Sequence, residues 1–328
     1  MIGPAPHRTR RAALGLGGAL LATPAIHAQG TWNPTRPVTL IVGFPPGGRT
    51  DGVARHLQAG LAMALGVPVE IDNRPGAAGN AGTEAVMAAR PDGTTILVGG
   101  TGPLAINPHV IDGMTVDPRE MVPIGLASQT PLVLCVSPGS PLSDLAALRA
   151  YLAGKAPGAV EFGSTGTGSL PHLAMELLRA RLGTPELTHV PARSARAALQ
   201  DVRAGKVTMA FANVGTAMQP LAARQVNAIL VTGPALHAIA TAEQQGLANF
   251  AFTAWLGLFA PRATPPEIVL RLNQALNATL AQPALRAHAA AHGEEPGGGL
   301  PSALAELLAR DYDRWGAVAR INNIRAET

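Results

Sequence analysis

The sequence predicts an α/β protein of two domains, on three observations. Short apolar runs suited to buried strands alternate with helical stretches whose leucines recur three and four residues apart. Two strand-to-helix junctions, roughly a domain's length apart, carry glycine- and hydroxyl-rich loops, FPPGGRTD ending at Asp51 and GSTGTGS ending at Ser169. The chain then closes on helical stretches alone, as expected when its last helices return to pack on the first domain. The domains so read are residues 29–132 with 253–328, and 133–252.

Residues 1–28 read as an export signal and are set apart from the fold. Arg8, Arg10 and Arg11 form a basic start, Ala12 to Ala22 an apolar stretch of 11 residues, and Ala28 a cleavage point that places the mature chain in the periplasm. That stretch is too short to span a membrane, which takes about 20 residues. The Arg10-Arg11 pair fits either an ordinary or a twin-arginine signal. Three arginines and no acid leave with the signal, so the net charge falls from +4 to +1. With no Lys/Arg run and no second long apolar run, neither nucleic acid nor a membrane is an expected partner. Cys135, the one cysteine, lies in the apolar run LVLCV and reads as a buried, inert thiol.

Taken in order, Val38 to Val42 is a buried strand, Pro45 to Gly48 a loop, and Thr50 or Asp51 the cap of a helix carrying Val53, Leu57, Leu61 and Leu65. The first amides of such a helix suit a carboxylate or phosphate. VPVEI gives a second strand, and Asp72 to Gly82 a loop whose glycines either line a ligand or let the next helix pack tightly. TTILVGG is a third strand ending at Thr101. PLVLCVSP is the next, with Ser143 capping a helix that carries Leu145, Leu148 and Leu152. Ala159 to Phe162 leads into GSTGTGS and a helix with Leu173, Leu177, Leu178 and Leu182, in whose first turn Pro171 costs nothing. LTHV, a helix over about 193–204, VTMAFA, a helix near 217–223 and NAILVTG continue the alternation. After an apolar strand with Trp255, helices begin near Pro265, Pro283 and Pro301.

Most catalytic frames are absent. Neither Ser164 nor Ser169 sits in Gly-x-Ser-x-Gly, no Lys-Ser/Thr pair closes a phosphate loop, and the glycines at 163, 166 and 168 lack dinucleotide spacing. His172 is an acid–base group, a ligand donor or a residue that pins its loop. His288 and His292 are four apart on an alanine-rich helix with no third ligand nearby in sequence, so no metal and no cofactor are expected. Arg49 and Arg193 are either solvated side chains or bidentate partners of a ligand carboxylate.

Together, FPPGGRTD, VEIDNRPGAAGNAG, ARPDGTTILVG, GSTGTGSLPH and WLGLFAPRATP resemble, in order along nearly the whole mature chain, the Bug-type solute receptors of tripartite tricarboxylate transporters. The resemblance implies a type II periplasmic-binding fold: two domains, each a mixed sheet flanked by helices, with a carboxylate held in the cleft between them. By position it implies ligand contacts at Phe44, Gly48, Arg49, Thr50 and Asp51 in the first loop, and at Ser164, Thr167, Gly168 and His172 in the second. Thr101, Ala192 and Asn213 complete the candidate site. Departures from the family pattern fall at Arg49, at Ala192-Arg193-Ser194 and at Thr208 and Ala212. The implied role is a non-enzymatic, monomeric receptor that hands a small organic or amino-acid carboxylate to membrane permease subunits. The alternatives are an exported serine hydrolase using Ser164 or Ser169 with His172, and a receptor that signals to a membrane sensor.

Overall fold

A single curled sheet of ten strands organises the chain in the computed structural model, in the order β2-β1-β3-β9-β4-β7-β5-β6, with β10 and β8 also on β4. The described residues are 1–3, 32–114, 116–234 and 239–326, and Trp32–Thr328 forms one compact unit. Most of the expected export signal, from residue 4 on, lies outside the described residues.

One wing of the sheet holds β1 (Val38–Val42), β2 (Val69–Asn73), β3 (Thr95–Gly100), β9 (Thr253–Ala260) and β10 (Glu295–Gly298). β1 lies parallel to both β2 and β3, and β3 runs antiparallel to β9. An interior strand is covered on both faces, which is why Val38, Leu40, Ile41 and Val42 are all apolar and buried. The other wing holds β5 (Glu161–Ser164), β6 (Thr188–Pro191), β7 (Met209–Asn213) and β8 (Asn227–Val231). Cys135 lies within this wing's core, and burial pushes its thiol up to about 12.

β4 (Val122–Val136) joins the wings. Val122 to Pro131 pair with β9, and Leu132 to Val136 with β7. The strand starts well before the expected PLVLCVSP because Pro123 and Pro131 sit where a missing N–H is tolerated: beside a register shift, and at the change of partner. β10 is a further strand that EPGG, with its proline and two glycines, does not announce.

The helices follow the expected alternation. α1 (Arg49–Leu65) packs on α8 (Pro266–Leu280), and Gly60 permits that approach, since a Cβ there would lie 2.4 Å from Thr279 Cγ2. α2 (Asn80–Met87) and α3 (Asn107–Val110) flank β3, with a π-helical turn over Gly102–Ile106 between β3 and α3. α4 (Leu145–Ala153), α5 (Leu170–Leu182), α6 (Ala195–Arg203) and α7 (Val214–Ala222) serve the second wing. α9 (Pro283–Ala291) and α10 (Pro301–Ile321) follow α8, as the three prolines suggest. Two expected caps move. Asp144, not Ser143, accepts from Ala147 N at 2.8 Å, and Gly48 takes the cap position of α1, ahead of the expected Thr50 or Asp51.

Candidate functional site

β1 delivers the first loop to the inner edge of the sheet, and Asp51 fastens it there. The Asp51 side chain is buried and accepts from the Gly47 amide at 2.9 Å, from Arg55 Nε at 2.8 Å and Nη2 at 3.1 Å, and from Asn73 Nδ2 at 3.0 Å. Asn73 Nδ2 also donates to the Phe44 carbonyl at 2.9 Å. The hydrogen bonds from Arg55 above all, with those from Gly47 and Asn73, hold the Asp51 carboxyl down at about 2 against the opposing effect of burial. Gly48 carries no side chain that could cap α1, so its first turn offers backbone amides at the loop. Arg49 is committed elsewhere. Its Nε and Nη2 grip both oxygens of Glu294 at 2.6 and 2.8 Å, Nη2 reaches the Ala254 carbonyl at 3.1 Å, and Ser128 Oγ donates to the same Glu294 carboxylate.

The second loop is pinned by two histidines. Ser164 Oγ lies 2.6 Å from His189 Nε2 and accepts from the Gly166 amide at 3.1 Å; Ser169 Oγ donates to the Gly166 carbonyl at 2.7 Å. His172 Nδ1 accepts the Gly168 amide at 3.1 Å, and the His172 and His189 rings stack 3.8 Å apart. Burial drives the protonation of both down, to about 3 for His172, where His189 adds to the effect, and to about 4 for His189. Both are therefore neutral at pH 7, and the acceptor role of His172 Nδ1 requires that form. Among the described residues no carboxylate bonds either imidazole, and Ser164 is fully buried, so this serine–histidine pair locks a loop and lacks the access that a hydrolase needs.

A third wall comes from residues that the sequence does not announce. Ala77 and Ala78 both take left-handed φ values, 45° and 53°, between Gly76 and Gly79. Non-glycine residues held there cost about 1–3 kcal/mol each and cluster at functional sites. Asn107 Nδ2 bridges the Ala78 carbonyl at 3.1 Å and Asn80 Oδ1 at 2.7 Å, which stabilises the turn. Behind it, Thr101 Oγ1 accepts the Trp255 amide at 2.9 Å, and the Trp255 indole donates to Asp311 at 2.8 Å.

These walls enclose a cleft of about 540 Å³. Thr50, Thr101, Thr165, Thr167 and Ser169 bring hydroxyls to it, Asn107 and Asn213 bring amides, and Arg49 is its one charged lining residue. The lips meet at Gly168: a Cβ there would lie 3.0 Å from Val110 Cγ2 and 3.1 Å from Ala326 Cβ, and the Val110 carbonyl accepts from the Ala326 amide at 2.8 Å.

Residues 53–324 match the family described as the tripartite tricarboxylate transporter family receptor. The chain belongs to that family. BugT of Bordetella pertussis is 32% identical over 311 residues, covering 92% of this chain and 95% of its own. A Rhodopseudomonas palustris protein, Rpa4515, solved with adipate, superposes with a TM-score of 0.76 at 32% identity, over 89% of this chain and 99% of its own. MatC of the same organism, solved with bound malate, gives 0.72 at 31%, over 87% and 99%. The fold is thus the α/β periplasmic-binding fold of this family, and its members are solute-binding receptors.

Within this tripartite-type receptor, the expected site residues divide. Phe44, Arg49, Thr50, Thr101, Thr167, Gly168 and Asn213 line the cleft. Gly48, Asp51, Ser164, His172 and Ala192 do not, and for four of them the reason is physical. Gly48 faces a neighbouring cavity, Asp51 and His172 spend their acceptors on the amides of Gly47 and Gly168, and Ser164 is sealed beneath its own loop. Ala192 packs against the core of the second wing. Gly79 and Gly82 take the packing role: a Cβ on Gly82 would lie 2.7 Å from Gly43 Cα, and one on Gly79 2.7 Å from Pro103 Cγ. Arg193 is exposed and lines none of these walls.

Proposed function

We propose that this receptor captures a small organic carboxylate in the cleft outside the inner membrane and presents it to the permease subunits of a tripartite-type transporter. The observation that carries this reading is the cleft's lining: hydroxyls, amides and helix starts from both wings, with no acidic side chain and one arginine already neutralised by Glu294. Such a surface favours an anion over a cation and a small polar molecule over an apolar one. The relatives solved with adipate and malate support the carboxylate class.

The ligand's carboxylate accepts from the first-turn amides of α1 and from Thr50, Thr101 and Thr167, with Asn213 and the Gly168 loop closing from the other side. Arg49 acts at the cleft's edge as the partner of Glu294 and contributes field more than a free fork. The two wings behave as domains, 29–132 with 253–328 and 133–252, and the change of β4's partners between Pro131 and Leu132 supports a hinge there. An export signal ending near Ala28 delivers the chain to the periplasm as a monomer. A thermal-shift panel of mono-, di- and tricarboxylates tests the reading. At least one acid raises the melting temperature saturably, and uniform failure with folded protein contradicts it.

A further inference from the structure

Beside the cleft lies a second cavity of about 390 Å³ that the transport reading leaves unused. It is bounded by α1, α7, α9, β4 and β10, and it shares Arg49 and Asn213 with the cleft. Its distinctive feature is three histidines: His56 from α1, His288 from α9 and His292 just past the end of α9. His56 on α1 meets His288 on α9 with ring centroids 3.5 Å apart, His288 meets His292 at 4.1 Å, and His56 and His292 are 6.3 Å apart. The spacing of His288 and His292 is visible in the sequence; the arrival of His56 from more than two hundred residues away is not. His288 and His292 stack while the His56 ring is tilted against them, and among the described residues no group of three or more His, Cys, Asp or Glu is arranged to hold a metal ion.

The surrounding charges leave these imidazoles without an anion. Glu294, the one acid lining the cavity, is held bidentately by Arg49 and by Ser128. On α1, Asp51 turns to Arg55 and to the Gly47 amide. On α9, Arg286 bonds the Leu280 carbonyl, and on β10, Glu295 accepts from Gln129. The lining residues of α7, α8 and β4 (Gly215, Thr216, Leu280, Ala127 and Ser128) bring no titratable group. Within the cluster, the one hydrogen bond of the imidazoles among the described residues runs from His292 Nδ1 to the His288 carbonyl at 2.8 Å. Three closely packed imidazoles thus face a pocket whose one acid is already paired with Arg49. Protonating any of them places like charges side by side, which an incoming anion relieves.

We propose that His56, His288 and His292 form a proton-coupled site for a small oxyanion, in a cavity that adjoins the transport cleft. The anion is taken up together with protons, sits against the imidazole edges with Thr216 lining the same cavity, and binds more tightly as the medium acidifies. Partial desolvation, followed by the two neighbouring imidazoles, holds His288 below the ordinary histidine range, which is the direction expected of a cluster awaiting a counter-charge.

Sulfate is the probe, because its charge stays constant from about pH 5.5 to about pH 8, across the histidine range. Calorimetry on the mature chain in buffers of differing ionisation enthalpy reads affinity and proton uptake together. Binding is about tenfold or more tighter at the lower pH, the scale of one charged hydrogen bond, and takes up protons. The H288Q/H292Q double variant and H56Q each lose that pH dependence. Equal affinity at the two pH values, or pH-dependent binding unchanged in both variants, overturns the proposal and assigns any sulfate bound to the cleft. Histidine titrations followed by NMR on the unmodified chain give an independent reading: sulfate raises the midpoints of the three cluster histidines, and unmoved midpoints overturn the proposal even if a variant fails to fold.

Discussion

Replacing Asp51 with Asn tests how the first loop is held. A carboxyl lowered from 3.8 to about 2 corresponds to about 2.4 kcal/mol of stabilisation at about 1.36 kcal/mol per pH unit. Arg55, the main cause, has a side chain 52% exposed, so solvent screening reduces the figure to about 1–2 kcal/mol. Asn keeps an acceptor for the Gly47 amide and loses the charge, so Asp51→Asn isolates the ionic part. Urea unfolding at pH 7 shows the variant about 1–2 kcal/mol less stable. The folded carboxyl titrates below the unfolded one, so its contribution is fully present above about pH 4 and fades as pH falls through about 2, with about half left near pH 3. The gap between the two proteins therefore narrows on acidification. A variant as stable as the parent at pH 7, or a gap that stays constant down to pH 3, refutes the role assigned to this carboxylate.

Other perturbations separate the remaining parts of the account. Arg49→Ala leaves the Glu294 carboxylate largely buried without its counter-ion and lowers stability by about 1–3 kcal/mol; carboxylate affinity falls by less than about tenfold, whereas a larger loss with unchanged stability would make Arg49 a direct ligand contact. His172 and His189, neutral when folded, bind protons in the unfolded chain first. Stability accordingly drops as pH falls from about 6.5 towards 4, by up to about 1.4 kcal/mol per pH unit per proton, and a His189→Gln variant shows a shallower slope on the same urea–pH series. Gly82→Ala pushes a methyl to 2.7 Å from Gly43 Cα and lowers the melting temperature, as overpacking costs about 1–3 kcal/mol; an unchanged melting temperature would mean that α2 can move away from the first loop.

Much of the fold is legible in the residues because its elements are locally consistent. VTLIV reads as a buried strand, Pro171 and Pro301 mark helix starts, and Gly66 stops its helix with a positive φ. What stays hidden depends on contacts far apart in sequence. The fork of Arg49 reads as available until Glu294, 245 residues away, is seen to fill it. His172 reads as an acid–base group, a ligand donor or a loop pin until the Gly168 amide and the His189 ring decide for the loop pin. Ala77 and Ala78 carry no side chain that could announce a binding wall, and their contribution lies in backbone conformation alone. The early half of β4 is obscured because prolines at 123 and 131 look like breaks until the sheet shows where their missing N–H groups fall.

The central claim is that the cleft holds a small carboxylate, and the compound that stays with the protein through purification tests it most directly. Native mass spectrometry of the gently purified protein, followed by release and identification of the bound mass, is expected to show one small organic acid per chain, displaced by an excess of the acid that gives the largest thermal shift. A stoichiometric neutral or cationic solute in that position contradicts the account.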